Sequence, residues 1–414
     1  MSIPASGAPR IAVLATFDTK GDEARFLADE LRSRGTEPVL IDLALTGDSP
    51  ADADTTREDL ARRGAVDATG DDRTTAMETT ADAAAAVLAE QVAAGAIAGV
   101  VGIGGGTGGW MAQRAVADLP FGFPKLVVTT VVKSSGEHDI LFLPSVVDVA
   151  GLNGLLRTVL RNAAGAIAGM TAGASSTRAG APDADTEGSK PVVAMTMFGV
   201  TTTGGDVARQ TLEDAGYDVV VFHATGAGGR TMERLTADGR FAGILDWTTT
   251  EIVQNIAGGL CDAGPDRLRA AAAHGIPQVV VPGAVDVINV LPPIPDAFAD
   301  RAHHWHLPTV PLVRASADES AAVGRWIGER LTEARGPAAV VIPRGGFSSL
   351  DIVGGDFEDA AADAAFEDAV RAAAPDDVPV TASPRHINDP AFARDAAQTL
   401  LDLLAAAPRT TRKE

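Results

Sequence analysis

The sequence is poor in several residue types, and each scarcity excludes a class of protein. A single cysteine, Cys261, among 414 residues excludes an internal disulfide framework and a cysteine-rich metal site. Residues 1–10 lack the basic and apolar parts of a signal peptide, and no run of about 18 residues is free of polar interruptions. We therefore expect a soluble, cytoplasmic protein that does not enter a membrane.

Aromatic residues and positive charge are also scarce. Aromatic side chains make up 4% of the chain and apolar ones 46%, so Ala, Val, Leu and Ile must fill the core, as is typical of layered α/β proteins. The net charge of −21 opposes binding to nucleic acids and to anionic membranes. The composition therefore indicates a globular α/β protein and disfavours nucleic acid as a partner.

Uninterrupted apolar strands alternate with helical patterns in both halves of the chain. Strands are predicted at 11–15, 38–43, 97–103, 126–132, 192–197, 218–223, 241–246, 278–281 and 338–342. Strands of this kind, separated by helices, indicate parallel sheets that are covered on both faces. Between the two halves, residues 171–190 lose the periodicity and are rich in Ala, Gly, Ser, Asp and Thr, which is typical of a linker. We therefore predict two doubly wound, Rossmann-like α/β domains with mainly parallel sheets, residues 1–175 and 191–414, joined by a linker at 171–190.

The run of glycines that follows the strand at 97–103 is the most informative motif. Gly104, Gly106 and Gly109 match the spacing G-x-G-x-x-G, and the lysine of a Walker A loop is lacking. Between a strand and a helix, such glycines most often let backbone N–H groups and the helix dipole hold a phosphate. The alternatives are a plain tight turn and the dinucleotide-binding loop of an oxidoreductase. The oxidoreductase alternative lacks its usual carboxylate at the next strand end, since none precedes Glu137 there.

Polar residues that follow the strands of the first domain complete a candidate nucleotide site. In open parallel sheets, ligands bind beyond the carboxyl ends of the strands. Hydroxyl and lysine groups suit phosphate oxygens, and carboxylates such as Asp18 and Asp42 suit a divalent ion, so we predict a site for ATP with Mg²⁺. The candidates are Thr16, Asp18, Thr19, Lys20, Gly104, Gly105, Gly106, Thr107, Gly108, Thr129 and Thr130, with Lys133 beyond them. For each single residue, helix capping is the alternative, and Asp18 or Thr19 suits the cap of the helix predicted at 21–34.

The second domain has a corresponding set of polar residues after its strands. Arg230, beside three glycines at the start of a predicted helix, suits a carboxylate or a phosphate. The predicted residues for binding a small anionic metabolite are Thr201, Thr202, Thr225, Gly226, Gly228, Gly229 and Arg230. The candidate catalytic acids and bases are His223, Glu251 and Asp286. For His223, the alternative is a satisfied polar group at a strand end.

Two further features invite a chemical interpretation but favour a simpler one. His303, His304 and His306 stand in one short segment, but only His304 and His306 would share a strand face. No nearby carboxylate completes a familiar ligand spacing, so we predict no metal site. Cys261 lies in a helical pattern and is expected to be inert packing.

Several longer motifs carry a family resemblance that extends from about residue 10 to 405. They are 11–21 (IAVLATFDTKG), 145–153 (SVVDVAGLN), 195–200 (MTMFGV), 221–230 (VFHATGAGGR), 246–251 and 387–390 (INDP). With these motifs the chain resembles the Tm-one-like ATP-binding domain family. It departs from that family at 131–143, where a loop is shorter, and at 290–314, where the histidines replace a tyrosine-containing segment.

The resemblance implies ATP binding, a two-domain α/β architecture and a homodimer, and it points to 16–20 and 104–107 as nucleotide contacts. The plant member for which the family is named binds a viral replication protein, which implies a possible protein partner. We therefore hold two hypotheses of function. The first is an ATP-dependent or phosphate-handling enzyme that acts on a small anionic metabolite at the cleft between the domains. The alternative is a nucleotide-gated protein-binding module without turnover.

Overall fold

The computed structural model describes residues 7–64, 72–132, 136–174, 190–307 and 309–407. The chain divides into two compact units, Met1–Ala181 and Pro182–Glu414. In the described part of the chain, no helix is long and apolar enough to cross a membrane.

The first unit contains five strands and five helices among its described residues. In chain order they are β1 (Arg10–Ala15), α1 (Phe17–Arg32), β2 (Glu37–Asp42), α2 (Arg57–Gly64), α3 (Arg73–Ala93), β3 (Gly99–Gly104), α4 (Gly106–Ala117), β4 (Lys125–Thr129), β5 (Leu141–Pro144) and α5 (Gly154–Ala174). The strands form one parallel sheet in the order β2-β1-β3-β4-β5. This is a doubly wound order, and the direction of winding reverses between β1 and β3.

Strand β1 shows why both faces of this sheet are covered. Successive side chains of a strand point to opposite faces, and every residue from Ile11 to Ala15 is buried. Ala12 and Leu14 belong to a core that includes side chains of α3 and α4. Val13 belongs to a second core with side chains of α1 and α5. The continuous apolar strands predicted from the sequence therefore reflect burial between two layers of helices.

The second unit repeats the architecture with a longer sheet. Its elements are β6 (Val192–Met197), α6 (Thr202–Asp214), β7 (Asp218–His223), α7 (Ala227–Ala237), β8 (Gly243–Thr248), α8 (Thr250–Ala257), α9 (Arg269–His274), β9 (Gln278–Gly283), β10 (Val287–Asn289), β11 (His303–Leu307), β12 (Val310–Arg314), α10 (Ala317–Leu331), β13 (Ala338–Pro343), α11 (Ala360–Ala373), β14 (Val380–Ser383) and α12 (Pro390–Ala406). Six strands form a parallel sheet in the order β14-β13-β9-β8-β6-β7. The predicted α/β class with mainly parallel sheets is confirmed.

A small antiparallel sheet, β10-β12-β11, was not predicted from the sequence. Its strands have only three to five residues, so their alternation is too short to give a clear periodic signal. The histidine segment lies in β11. His304 contacts Asp356, with 2.7 Å between Nδ1 and Oδ2, and the side chain of His306 lies outside the described residues.

Several helix boundaries differ from the predicted ones. The sequence pattern predicts helices at 110–119, 205–215 and 231–238, but the structure begins them at Gly106 (α4), Thr202 (α6) and Ala227 (α7). Glycines that suggested a loop occupy the first helical turn in each case. Close packing requires several of these glycines. A Cβ atom on Gly109, for example, would overlap the hydroxyl oxygen of Thr129. Helix α5 continues to Ala174, so the first residues of the predicted linker are helical, and 175–189 lie outside the described residues.

Candidate functional site

A cavity of about 340 Å³ lies at the carboxyl ends of β1 and β3, where the winding of the first sheet reverses. Ligands of doubly wound proteins bind at this position. The predicted residues that line it are Thr16, Asp18, Thr19, Lys20, Gly105, Gly106, Thr107 and Gly108. The structure therefore brings together two segments that are more than eighty residues apart in the sequence.

The turn between β1 and α1 presents the first segment to the cavity. The carbonyl oxygen of Thr16 accepts hydrogen bonds from the backbone N–H groups of Thr19 (3.1 Å) and Lys20 (2.7 Å). Lys20 has non-helical angles (φ −127°, ψ 19°), so regular helix begins after it, close to the predicted start. Neither Asp18 nor Thr19 caps this helix with its side chain.

Asp42, at the end of β2, stabilises this turn through hydrogen bonds to its carboxylate. Its buried carboxylate accepts hydrogen bonds from the backbone N–H groups of Phe17 (3.0 Å) and Ala44 (2.8 Å) and from the hydroxyl of Ser49 (2.6 Å). With all of these partners, Asp42 positions the loops after β1 and β2. This geometry favours a structural role for Asp42 over contact with a bound ion.

The glycine loop presents open backbone to the same cavity. A Cβ atom on Gly106 would meet no atom within 4 Å, and one on Gly105 would come no closer than 3.9 Å to Asp148 and Thr130. Gly104 differs, because a Cβ atom there would come within 2.5 Å of the backbone of Gly108 and Gly109. The protein's own packing therefore does not require glycine at 105 and 106. Helix α4 begins here, and the first N–H groups of a helix have no partner within the helix.

Thr129 and Thr130 lie beside the glycine loop, at the end of β4. The buried hydroxyl of Thr129 donates to the carbonyl of Gly105 at 3.4 Å and accepts from the N–H of Val131 at 3.2 Å. Thr129 therefore stabilises the glycine loop through its hydrogen bond to Gly105. Thr130 is exposed near Gly105, and Lys133 lies outside the described residues.

Four residues that line the cavity were not predicted: Leu45, Thr46, Arg73 and Met111. Arg73 matters most, because it adds a second cation to the cavity wall. Among the described residues, neither Lys20 nor Arg73 has a carboxylate partner. Arg73 is the first residue of α3 and does not follow a strand, so inspection of strand ends could not find it.

In the second unit, Glu251 lies in a buried ion-pair cluster. One carboxylate oxygen accepts hydrogen bonds from the backbone N–H groups of Gly226 (2.7 Å) and Gly229 (3.0 Å), and the other accepts from Arg267 Nε at 2.7 Å. Burial raises the pKa of Glu251, and Arg267 opposes this shift. Both carboxylate oxygens are occupied and the side chain is fully buried, which favours a structural role over the predicted acid–base role.

Arg267 is the centre of this cluster. Its guanidinium also donates to both oxygens of Asp246, at 2.6 and 2.8 Å, and to Glu233 at 3.2 Å. Burial disfavours the charged guanidinium, but the carboxylates of Asp246 and Glu251 outweigh it and raise the pKa of Arg267 above its ordinary value. The cluster fixes the start of α7 against β8.

In the second glycine loop, residues 226–229, the space around the glycines is occupied by other atoms of the protein. A Cβ atom on Gly228 would overlap the carbonyl oxygen of His223, and one on Gly229 would overlap the carboxylate of Glu251. Gly226 has a φ of 88° and would press on the carbonyl of Asp262. These glycines therefore serve close packing, which distinguishes them from Gly105 and Gly106 in the first unit.

The remaining residues predicted to bind a substrate are mostly engaged within the protein. Arg230 donates to the carbonyl of Asp262 at 2.5 Å. The buried hydroxyl of Thr201 pairs with that of Thr248 at 2.8 Å, and Thr202 donates to the carbonyl of Phe198 at 3.0 Å. These contacts give little support to a site for an anionic metabolite at this loop.

Asp286 is buried beside Ser348, whose hydroxyl donates to Oδ2 at 2.6 Å. The other carboxylate oxygen, Oδ1, has no hydrogen-bond partner among the described residues. Burial and the nearby carboxylate of Asp351 raise the pKa of Asp286 to about 7, against the effect of Arg314. Because Asp286 is wholly enclosed, this geometry does not support contact with a substrate there.

His223 and Thr225 do line a cavity, of about 320 Å³, with Phe198, Cys261 and Asn289. The rings of Phe198 and His223 stack, with centroids 5.6 Å apart. Cys261 is buried in this wall rather than in a helix, and burial raises the pKa of its thiol to about 11.

Comparison with known proteins assigns the chain to a family. The models of the Uncharacterised protein family (UPF0261) N-terminal and C-terminal domains match residues 9–176 and 190–404. The chain belongs to the UPF0261 family. A UPF0261 protein of Mesorhizobium japonicum is 42% identical over 410 residues, covering 94% of this chain and 98% of that protein. One of Clostridium tetani is 37% identical over 407 residues, covering 95% and 99%.

The predicted resemblance to the Tm-one-like family is confirmed by plant relatives of this UPF0261 chain. The ToMV resistance protein Tm-1(GCR237) of Solanum lycopersicum is 32% identical over 431 residues, which cover 97% of this chain and 57% of the tomato protein. Among solved structures, a polyketide synthase ketoreductase matches 92% of this chain and 81% of its own at 17% identity, with a TM-score of 0.21. That score is too low to support an argument.

Proposed function

We propose that this protein binds ATP with Mg²⁺ in the cavity between β1 and β3 of the first unit. The observation that carries the proposal is the open glycine backbone at the start of α4, which lines the same cavity as Lys20 and Arg73. An anion at this place gains from the N–H groups of the helix start and from two cations. The cavity also lies at the position where doubly wound sheets bind nucleotides.

Each part of the cavity suits one part of the ligand. Backbone N–H groups from Gly105 to Gly108 suit phosphate oxygens, and the cations of Lys20 and Arg73 balance phosphate charge. The apolar side chains of Leu45 and Met111 offer contact to a less polar part of the nucleotide.

The oxygen donors of the cavity also fit Mg²⁺. This ion usually takes one or two protein oxygen ligands and completes its shell with phosphate oxygens and water. Asp18 is an exposed carboxylate on the cavity wall, and the hydroxyls of Thr16 and Thr19 stand beside it. These residues would hold the ion, which would neutralise phosphate charge. Among the described residues, no cluster of three metal-binding side chains exists, so the bound phosphates would have to contribute ligands.

The proposal is tested by titration calorimetry of the full chain with ATP and Mg²⁺, and with NAD as the competing ligand. Lys20→Ala should weaken ATP binding by about 10- to 100-fold, because a hydrogen bond to a charged group contributes about 1.5–3 kcal/mol. Gly106→Val should abolish binding while the fold is retained, because its side chain would enter open space where the phosphates approach. Lys190→Ala, which removes an exposed lysine remote from the cavity in sequence, is the matched control.

Unchanged ATP affinity in both Lys20→Ala and Gly106→Val would contradict the site. Tighter binding of NAD than of ATP would instead support the oxidoreductase alternative. Phosphate release in the same samples separates the two hypotheses of function. Turnover would indicate an ATP-dependent enzyme, whereas stoichiometric binding without phosphate release would favour a nucleotide-gated protein-binding module.

A further inference from the structure

The cavity of about 320 Å³ in the second unit has walls of mainly apolar character. It lies beyond the carboxyl ends of β6 and β7, between residues 198–200 and the strands β10 and β12. Phe198, Val200, Leu260, Val310 and Leu312 contribute its apolar surface. Its lining includes no Asp, Glu, Lys or Arg among the described residues. An anion would therefore lose its hydration here without gaining a countercharge, which is costly.

Asn289 supplies a hydrogen-bond donor of fixed orientation in this cavity. Gln254 donates from Nε2 to the carbonyl oxygen of Val287 (3.1 Å), and its Oε1 accepts from the backbone N–H of Asn289 (3.0 Å). Nε2 also donates to the side-chain oxygen of Asn289 at 2.8 Å. These contacts leave only one orientation for the Asn289 carboxamide. Its Nδ2 group makes no hydrogen bond to the described residues, although the side chain is only 7% exposed.

His223 supplies the complementary acceptor. Its Nδ1 lies 3.2 Å from the carbonyl oxygen of Met197, and a carbonyl only accepts, so the neutral ring carries its proton on Nδ1. Nε2 is then an acceptor. The ring stacks on Phe198 with 22° between the planes, and the pair forms a flat wall. Flat aromatic walls favour planar ligands.

We propose that this cavity is a binding site for a neutral, planar small molecule that carries an amide, such as a ring with a primary carboxamide or a lactam edge. The amide carbonyl would accept from Asn289 Nδ2, and the amide N–H would donate to His223 Nε2. All of the residues that line this site belong to the second unit. The ligand proposed here for the second unit is neutral, whereas the sequence analysis predicted an anionic metabolite.

Cys261 provides a reporter for this site, since it lines the cavity and is the one cysteine of the chain. The rate at which methyl methanethiosulfonate modifies Cys261 is measured by intact mass, with benzamide or benzoate present. The two probes have the same shape, but only benzamide is neutral and carries an N–H donor. At about ten times its dissociation constant, benzamide should slow the modification about tenfold, because only the unoccupied fraction reacts.

Two variants sharpen the test. His223→Phe keeps a flat ring but removes the acceptor, so protection by benzamide should require a higher concentration. His274→Phe is the matched control, since His274 is also exposed with Nδ1 beside a backbone carbonyl, at 2.9 Å from Ala270, but lies outside the cavity. If Cys261 resists modification, saturation-transfer NMR of benzamide with the same proteins measures binding directly.

Saturable protection by benzamide, weak protection by benzoate and a selective loss in His223→Phe would support the proposal. It is overturned if benzamide neither protects Cys261 nor binds by NMR. Equal protection by benzoate would contradict the neutral ligand, and an unchanged response in His223→Phe would contradict the assigned acceptor.

Discussion

The buried carboxyl of Asp286 predicts an unusual dependence of stability on pH. Its pKa is raised from 3.8 to about 7 by burial and by the neighbouring carboxylate of Asp351, with Arg314 acting in the opposite direction. Asp363, which pairs with Arg314, also has a pKa raised by burial to about 7. Between the unfolded pKa of 3.8 and the folded pKa of about 7, Asp286 keeps a proton in the folded chain that it has lost in the unfolded chain. Stability should therefore fall as the pH rises from about 4 to about 7, and the loss is complete above the folded pKa.

The structure sets the size of this effect. A shift of about three pKa units corresponds to about 4 kcal/mol at most. Between pH of about 5 and about 8, the part contributed by Asp286 is about 2–3 kcal/mol. Asp286→Asn retains the shape and the acceptor for Ser348 but cannot ionise. The unfolding free energy of this variant should therefore lack the decrease with rising pH that Asp286 contributes in the wild type. Asp300→Asn, at an exposed position, is the control.

Urea unfolding at a series of pH values measures the slopes of the three proteins. The informative quantity is the difference between each variant and the wild type, because other groups titrate in the same range. The expected result is that Asp286→Asn gains stability relative to the wild type as the pH rises, while Asp300→Asn stays parallel to it. Parallel curves for Asp286→Asn and the wild type would show that Asp286 is already ionised in the folded protein, and would refute the reasoning.

Two further predictions concern the packing of the second unit. Gly228→Ala should lower the free energy of unfolding by about 1–3 kcal/mol, because the added Cβ overlaps backbone, whereas Gly106→Ala should leave it unchanged. Thermal unfolding measures both, and equal effects would contradict the difference between the two glycine loops. Arg267→Met should cost about 3–5 kcal/mol, because it leaves buried carboxylates unpaired, and Arg269→Met at an exposed position should cost little. A small loss in Arg267→Met would show that these carboxylates protonate or gain water.

Most of the parallel strands could be predicted, because burial on both faces selects a continuous apolar run. The short, partly exposed edge strands β5 and β14 were not predicted. Residues 192–197, for example, were predicted as a strand at the bounds that the structure has, and four successive residues of this strand are buried. The antiparallel strands β10 to β12 gave no such clear signal, since they are short and separated by irregular segments. Helix starts were missed where glycines suggested loops, because the local sequence does not reveal the neighbour that a glycine packs against.

The candidate site divides in the same way. The strand-end rule found Thr16 to Lys20 and Gly105 to Gly108, because a parallel sheet brings its carboxyl ends together wherever its strands lie in the sequence. It could not find Arg73, which comes from the start of a helix. The same rule could not distinguish a structural carboxylate from one that contacts a ligand. Glu251 is structural, since Arg267 and two backbone N–H groups occupy its oxygens.

The sequence by itself therefore determined the α/β class, most of the parallel strands and the family, because these depend on continuous burial and on contiguous motifs. Only the tertiary structure decided what each polar residue does. The two glycine loops look alike in sequence, yet one opens onto a cavity, whereas atoms of His223 and Glu251 pack against the glycines of the other. The physical reason is that a side chain or a glycine acquires its role from atoms that are distant in sequence, and these become its neighbours only when the chain folds.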